Sequence, residues 1–208
     1  MTARRLRLAV LISGSGRTLE NFVALSSSGD LSAEVALVVS SRPNVGGLDR
    51  AERFGLPHVT ISRRAFEGVE AFSAAITETI RSHEVDLVTL AGFLSFYQIP
   101  PELEGRVMNI HPSLLPAFGG PGCYGDRVHR AVLDSGVKVT GCTVHFANNE
   151  YDAGPIIVQR AVPVLEDDDP STLAARVFEQ ECEAYPEAIR LYAEDRLRIE
   201  GHRVRILS

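Results

Sequence analysis

The first half of the chain alternates between short apolar runs and longer stretches with helical spacing. The apolar runs predict buried strands over residues 6–13, 34–39, 57–61, 85–90 and 107–110. Between them, helical periodicity predicts helices over residues 18–26, 47–54 and 68–82, the second closed by Gly55. Strands that alternate with helices in this way indicate an α/β fold with a parallel, doubly wound sheet.

The pattern changes in the second half. After a helix predicted over residues 124–135, two strands over 138–146 and 155–164 are expected to pair antiparallel. A long helix over about 171–195 has an acidic start, and Pro186 is expected to kink or divide it. A terminal hairpin is predicted from residues 197–199 and 203–206. No repeat or linker is recognisable in the sequence, so we expect one domain, 1–208. In this domain the antiparallel strands are expected to extend a single, mostly parallel sheet.

Composition narrows the class of protein. The 208 residues carry a net charge of −6, which argues against nucleic acid or an anionic membrane as the main partner. The basic start and short apolar run mimic a signal peptide, but a Gly-Ser-Gly turn follows at once, so a first strand is favoured. The three cysteines have no CxxC spacing, which disfavours disulfides and zinc and favours a cytoplasmic location: Cys123, Cys142 and Cys182.

The segment LISGSGRTLENF, residues 11–22, places a glycine-rich turn between a strand and a helix. Free N–H groups at such a turn bind anions, and Arg17 and Thr18 can add a charge and a hydroxyl. Leu19 stands where the dinucleotide fingerprint needs a third glycine, so one phosphate of a mononucleotide-sized ligand is favoured over NAD. A plain tight turn is an equal alternative, and Ser41 and Arg42 leave a 2′-phosphate interpretation open.

The segment MNIHPSLLP, residues 108–116, brings two polar side chains to the end of a predicted strand. Asn109 and His111 are two apart and therefore share a face, and Asp152 lies in a polar loop that could fold over the same edge. Singly, a core histidine and a turn-forming aspartate are commoner. Together, a neutral amide, an imidazolium and its carboxylate suit a carbonyl whose oxygen becomes negative as a nucleophile adds.

Five segments carry a resemblance to a known family: NIHPSLLP, GVKVTGCTVHF, DAGPII, SGSG and LAGFL. On these the chain resembles the folate-dependent phosphoribosylglycinamide formyltransferases of purine biosynthesis. The resemblance implies transfer of a formyl group from 10-formyltetrahydrofolate, a co-substrate, to the amine of glycinamide ribonucleotide, with no metal or NAD, by a monomer or homodimer. The additional domains of methionyl-tRNA formyltransferases and formyltetrahydrofolate hydrolases are not expected within 208 residues.

The resemblance also implies roles for individual residues. The catalytic set corresponds to Asn109, His111 and Asp152. Substrate binding corresponds to Gly16, Arg17, Thr18 and Glu181. Folate binding corresponds to Leu94, Ser95, Phe96, Tyr97, Asn109, Asn148, Asn149, Glu150 and Tyr151. Ser95 and Val69 stand where relatives have arginines, which leaves open how the folate tail is held, with Arg63 and Arg64 as substitutes.

Other chemistry-bearing residues receive weaker expectations. Thr143 and His145 alternate along one strand and are expected at a cleft or in a buried network. A metal site built from histidines and Cys142 is disfavoured, as is a nucleophilic Cys123. For Tyr124 and His129 of loop 118–129, a helix-capping or packing role is favoured over contact with substrate. Two other functions stay open: hydrolysis of the formyl donor, and a nucleotide-binding module that uses the glycine turn alone.

Overall fold

The computed structural model describes residues 5–208, so residues 1–4, where the signal-peptide-like start begins, lie outside the described residues. The chain divides into two compact units, one ending at Met108 and the other beginning at Asn109. The described residues form a nine-stranded sheet, whose strands, counted along the chain, lie in the order third, second, first, fourth, fifth, sixth, seventh, ninth, eighth. The predicted α/β class, mostly parallel with antiparallel strands in the C-terminal half, is confirmed.

The N-terminal unit is a parallel sheet with three helices. Its elements are β1 Leu6–Ile12, α1 Arg17–Ser28, β2 Ala33–Ser40, α2 Gly46–Arg53, β3 His58–Thr60, α3 Val69–Arg81 and β4 Leu87–Leu90, with 3₁₀ turns at Arg63–Ala65 and Pro101–Leu103. β1 pairs in parallel with β2 and with β4, and β2 pairs in parallel with β3. Residues 8–12 of β1 have no exposed surface, which is why this strand reads as an unbroken apolar run.

The C-terminal unit is organised around one antiparallel pair. Its elements are α4 Asp126–Ser135, β6 Val139–Phe146, β7 Ile156–Pro163, α5 Pro170–Ala193, β8 Leu197–Glu200 and β9 Arg203–Ile206. β6 and β7 pair antiparallel from Val139 opposite Pro163 to His145 opposite Ile156, and the hairpin β8–β9 joins β7 through Ile156 and Arg203. β5, Val107–His111, runs through the boundary between the units.

Helix α5 is more continuous than its sequence indicates. It runs unbroken through Pro186, so the expectation that this proline divides the helix is wrong. A proline inside a helix costs about 3 kcal/mol. Here the helix packs against β6 and β7 and buries Tyr185, Pro186 and Ile189 completely or nearly so, and this burial offsets the lost hydrogen bond.

The start of α5 is fixed by its aspartates. Asp169 is the N-cap: its side chain accepts from the backbone N–H groups of Ser171 and Thr172, and the Thr172 hydroxyl accepts in return from the Asp169 N–H. Asp168 pairs with both terminal nitrogens of Arg176. The acidic run predicted as a helix start is therefore a capping box supported by a bidentate ion pair.

Replacing Asp169 with alanine is expected to lower the free energy of unfolding by about 1 kcal/mol, because the first turn of α5 loses its cap. Urea denaturation followed by circular dichroism measures the change. Asp167→Ala is the matched control, since Asp167 is an exposed aspartate two residues earlier. Equal stability of the two variants would contradict the assigned role of the cap.

Candidate active site

Strand β5 places Asn109 and His111 beside one carboxylate, that of Asp152. The Asp152 side chain has Oδ1 3.4 Å from the Asn109 Nδ2 and Oδ2 3.5 Å from the His111 Nδ1. Ile110, between them, is buried on the opposite face, as the two-residue period of a strand requires. The predicted convergence of these three side chains is therefore present within the C-terminal unit.

Backbone groups of the loop after β5 complete this cluster. The His111 Nε2 lies 2.9 Å from the Phe118 carbonyl oxygen, and the Gly120 N–H donates to the Asp152 Oδ2 at 2.9 Å. Both ring nitrogens of His111 thus face oxygen acceptors, and only the doubly protonated ring donates to both. The sequence did not predict these contacts, because backbone N–H and carbonyl groups are the same in every residue.

The cluster is held in backbone conformations that side chains rarely adopt. Asp152 has φ of +53° and Phe118 has φ of +56°. Aspartate tolerates this left-handed region better than most residues. Between the two segments, Gly119 has little space for a side chain, since a Cβ there would lie 2.5 Å from the Leu115 Cδ2, the end of a flexible side chain, and 3.3 Å from the Asp152 Cβ. A side chain at this position would require Leu115 and Asp152 to shift.

Thr143, expected at a cleft or in a buried network, lies in the network. Its hydroxyl donates to the Ser113 carbonyl and accepts from the Leu115 N–H, at 2.7 and 3.0 Å. Gln159, which sequence reasoning did not single out, donates to the same hydroxyl and to the Leu115 carbonyl, each at 3.0 Å. These bonds fix the Pro-Ser-Leu-Leu segment that follows His111.

Two more histidines lie beside the cluster, both buried. The His145 Nε2 is 3.1 Å from the Asn109 Nδ2, and its Nδ1 is 3.0 Å from the Phe146 carbonyl oxygen. Burial lowers the pKa of His145 below its ordinary value, and the backbone contact and Asp152 oppose the shift. Burial also lowers the pKa of His129, which is in helix α4. These two rings are therefore neutral at neutral pH, unlike an imidazole poised to titrate there.

The other predicted residues of this unit lie in the loop after β6 and on α5. Residues 148–151 are exposed, and the Glu150 N–H bonds to the Asn148 side chain. Glu181 is half-buried on α5. Burial, and secondarily the charge of Glu181, raises the pKa of the Cys142 thiol to about 12. Cys142 is therefore a protonated core residue at neutral pH.

The glycine turn of the N-terminal unit has a structural reason for its glycines. Gly16 has φ of +76° and caps α1, and a Cβ there would lie 2.6 Å from the Gly47 Cα. The Arg50 side chain donates to the Ser15 carbonyl at 2.7 Å and to Glu20 at 3.0 Å. The turn is thus packed against the start of α2. Arg17 is exposed and Thr18 is buried at the start of α1.

The segment 94–97 is tied to the same turn within this unit. The Leu94 N–H donates to the Ser13 hydroxyl, which also bonds to the Ser41 hydroxyl. Ser41 is buried, so its hydroxyl is not presented to a 2′-phosphate. Leu94 is exposed, and Ser95 and Phe96 are half-buried. Tyr97 points inward: its hydroxyl bonds to Thr77, and burial raises its pKa to about 12.

Neither a metal cluster nor a membrane span is found in the described part of the chain. Among residues 5–208, no group of three or more histidine, cysteine, aspartate or glutamate side chains is arranged to hold a metal ion. Over the same range, no helix is both long enough and apolar enough to cross a membrane.

Comparison with known proteins identifies relatives along most of the chain. A profile described as formyl transferase matches residues 6–189. The chain is 40% identical over 201 residues to "Phosphoribosylglycinamide formyltransferase, chloroplastic" of Vigna unguiculata, covering 95% of this chain and 64% of that protein. It is 42% identical over 195 residues to "Trifunctional purine biosynthetic protein adenosine-3" of Drosophila melanogaster, covering 92% of this chain and 14% of that protein. It thus spans less than two thirds of the length of either relative.

The comparison with solved structures identifies the same family. The crystal structure of glycinamide ribonucleotide transformylase 1 from Symbiobacterium toebii matches with a TM-score of 0.92 and 45% identity, covering all of this chain and 96% of that one. The resemblance carried by the sequence motifs is confirmed. The chain belongs to the formyl transferase family.

Proposed function

We propose that this protein transfers the formyl group of 10-formyltetrahydrofolate to the amine of glycinamide ribonucleotide, in de novo purine biosynthesis. The products are formylglycinamide ribonucleotide and tetrahydrofolate. One observation carries the proposal: in a chain of the formyl transferase family, the amide of Asn109 and the imidazole of His111 each lie within 3.5 Å of one carboxylate at the end of β5. The relatives named above for this activity support the choice of substrates.

The reaction needs one bond made and one broken at the formyl carbon. The substrate amine attacks this carbon, the carbonyl π electrons move to oxygen, and a tetrahedral oxyanion forms. The amine then loses a proton, the oxyanion re-forms the carbonyl, and the bond to folate N10 breaks as N10 gains a proton. Stabilisation of the oxyanion by fixed donors is the largest contribution that such a site can make.

Two donors suit this oxyanion. His111 uses Nε2 on the Phe118 carbonyl, so Nδ1, which has the longer contact of 3.5 Å with the Asp152 Oδ2, is the ring nitrogen that would act on a substrate oxygen. The Asn109 Nδ2 lies beside it, with its contact to Asp152 at a length of 3.4 Å that a substrate oxygen can readily replace. One neutral and one cationic donor would then bind the oxygen as it becomes negative.

Asp152 keeps His111 cationic in this mechanism. Its carboxylate is only 12% exposed, and the His111 ring only 4%, so their attraction is weakened little by solvent. In this proposal Asp152, whose carboxylate contacts both donors, also accepts the proton that the amine loses. We therefore assign it the transfer of that proton towards N10, directly or through one water.

Binding roles follow the family assignment. The turn at Gly16, Arg17 and Thr18 would hold the substrate phosphate, and Glu181 the polar part of the substrate near the amine. Folate would bind at the segments 94–97 and 148–151. We further propose that residues 1–208 act as a single domain, as monomer or homodimer, without metal or NAD, in the cytoplasm, where the thiols of the three free cysteines are kept reduced.

The proposed reaction is tested by following the absorbance of the folate during turnover, with and without glycinamide ribonucleotide. Product is expected only when both substrates are present. Release of formate in the absence of the amine would instead support hydrolysis. Lack of any change in the folate with both substrates present would overturn the proposal.

Asp152→Asn is expected to lower kcat by about 10²- to 10⁴-fold, because the carboxylate that keeps His111 charged and accepts the proton is lost. The KM for glycinamide ribonucleotide is expected to change little. Steady-state kinetics of this variant and of Asp167→Asn, an exposed aspartate in the C-terminal unit, make the comparison. A kcat within threefold of the wild type would exclude the role assigned to Asp152.

Arg17→Ala is expected to raise the KM for glycinamide ribonucleotide about tenfold, because a charged hydrogen bond to phosphate contributes on the order of 1.5 kcal/mol. The kcat is expected to stay close to that of the wild type. Arg198→Ala, which removes an exposed arginine of β8, serves as the control. An unchanged KM would show that Arg17 does not contact the phosphate.

A further inference from the structure

His145 lies beside the proposed catalytic cluster but has no role in the reaction described above. It is on β6, only 1% exposed, and both of its ring nitrogens have a partner. When both ring nitrogens of a buried histidine have partners, each partner restricts which nitrogen can carry the hydrogen.

The two hydrogen-bonding partners of His145 select the same tautomer, while the Asp152 Oδ1, 3.8 Å from Nε2, lies beyond hydrogen-bonding distance. The Phe146 carbonyl, 3.0 Å from Nδ1, can only accept, so Nδ1 carries the hydrogen. The Asn109 Nδ2, 3.1 Å from Nε2, can only donate, so Nε2 is the acceptor. Both contacts are satisfied by the neutral Nδ1–H ring, and the burial that lowers the pKa of His145 favours this neutral form.

This tautomer fixes the orientation of the Asn109 carboxamide. If the amide turned by 180°, its carbonyl oxygen would face the lone pair of Nε2, and two acceptors would repel each other. With the NH₂ group held at His145, the second amide hydrogen is directed towards the Asp152 Oδ1, where the contact is longer, 3.4 Å. One amide hydrogen is thus anchored and the other is left for a substrate oxygen.

Gly154 leaves room for the Phe146 carbonyl that accepts the hydrogen bond from the His145 ring. A Cβ at this position would lie 1.7 Å from the Phe146 carbonyl oxygen and 3.4 Å from the His145 Nδ1. Any side chain there would displace the carbonyl that fixes the ring. The glycine of the Asp-Ala-Gly-Pro segment is therefore part of the same arrangement, and it acts on the ring through the backbone at the end of β6.

We propose that His145 is a positioning residue: as a neutral acceptor it holds the Asn109 NH₂ group so that one hydrogen is presented to the formyl oxygen. The consequence for turnover rests on the proposed function, whereas the tautomer and the amide orientation do not. The chain of contacts runs from Gly154 through the Phe146 carbonyl and His145 to Asn109.

Two substitutions separate positioning from packing. His145→Leu fills the core without an acceptor, and kcat is expected to fall about 10- to 100-fold, the range for a displaced reacting group, with KM unchanged within twofold. His145→Gln places an amide oxygen near the position of Nε2, and kcat is expected to recover to within about threefold of the wild type. His202→Leu, an exposed histidine of the same unit, is the control.

A measurement on the wild-type protein tests the geometry without any turnover. Nitrogen-15 NMR is expected to show His145 protonated at Nδ1 and not at Nε2, with the side-chain amide signals of Asn109 shifted in His145→Leu and retained in His145→Gln. An Nε2–H tautomer, or equal kcat in the leucine and glutamine variants, would overturn the positioning role. Absence of formyl transfer by the wild type with the expected tautomer would count against the proposed function alone.

Discussion

The C-terminal unit depends on one enclosed carboxylate. The oxygens of Asp152 face the amide of Asn109, the ring of His111 and the backbone N–H of Gly120. An ionised carboxylate that is 12% exposed is stable only where donors replace the water it has lost. The end of β5, the loop after it and the turn before β7 must all be in place together to supply them.

The two histidines near this carboxylate have different hydrogen-bonding partners. His111 has an oxygen acceptor near each ring nitrogen, whereas His145 has a carbonyl on one side and an amide NH₂ on the other. Burial lowers the pKa of His145 and favours its neutral form. Two identical side chains beside one carboxylate are thus given different surroundings by the groups that contact them. Gly154 contributes to this arrangement, because a Cβ there would lie 1.7 Å from the Phe146 carbonyl oxygen and the chain leaves no room for a side chain.

Most of the fold was predictable because its determinants are local. Unbroken apolar runs and helical spacing located the nine strands and five helices of the described residues, usually with ends one or two residues away. The exception is informative. Pro186 breaks helices by a local rule, but α5 continues through it because contacts with β6 and β7 outweigh the lost hydrogen bond. Those contacts join residues distant in the chain, and no local pattern contains them.

The sequence by itself determined the family, the strand that carries Asn109 and His111, and the candidacy of Asp152, because residue type and two-residue spacing are written in the chain. Only the tertiary structure decided that Asp152 meets both, that the Phe118 carbonyl takes one nitrogen of His111, and that Tyr97 and Thr143 turn inward. Backbone groups are the same in every residue, and the partners of a side chain depend on the packing of segments far apart in sequence. Hydrogen-bond partners are therefore fixed only when the chain is folded.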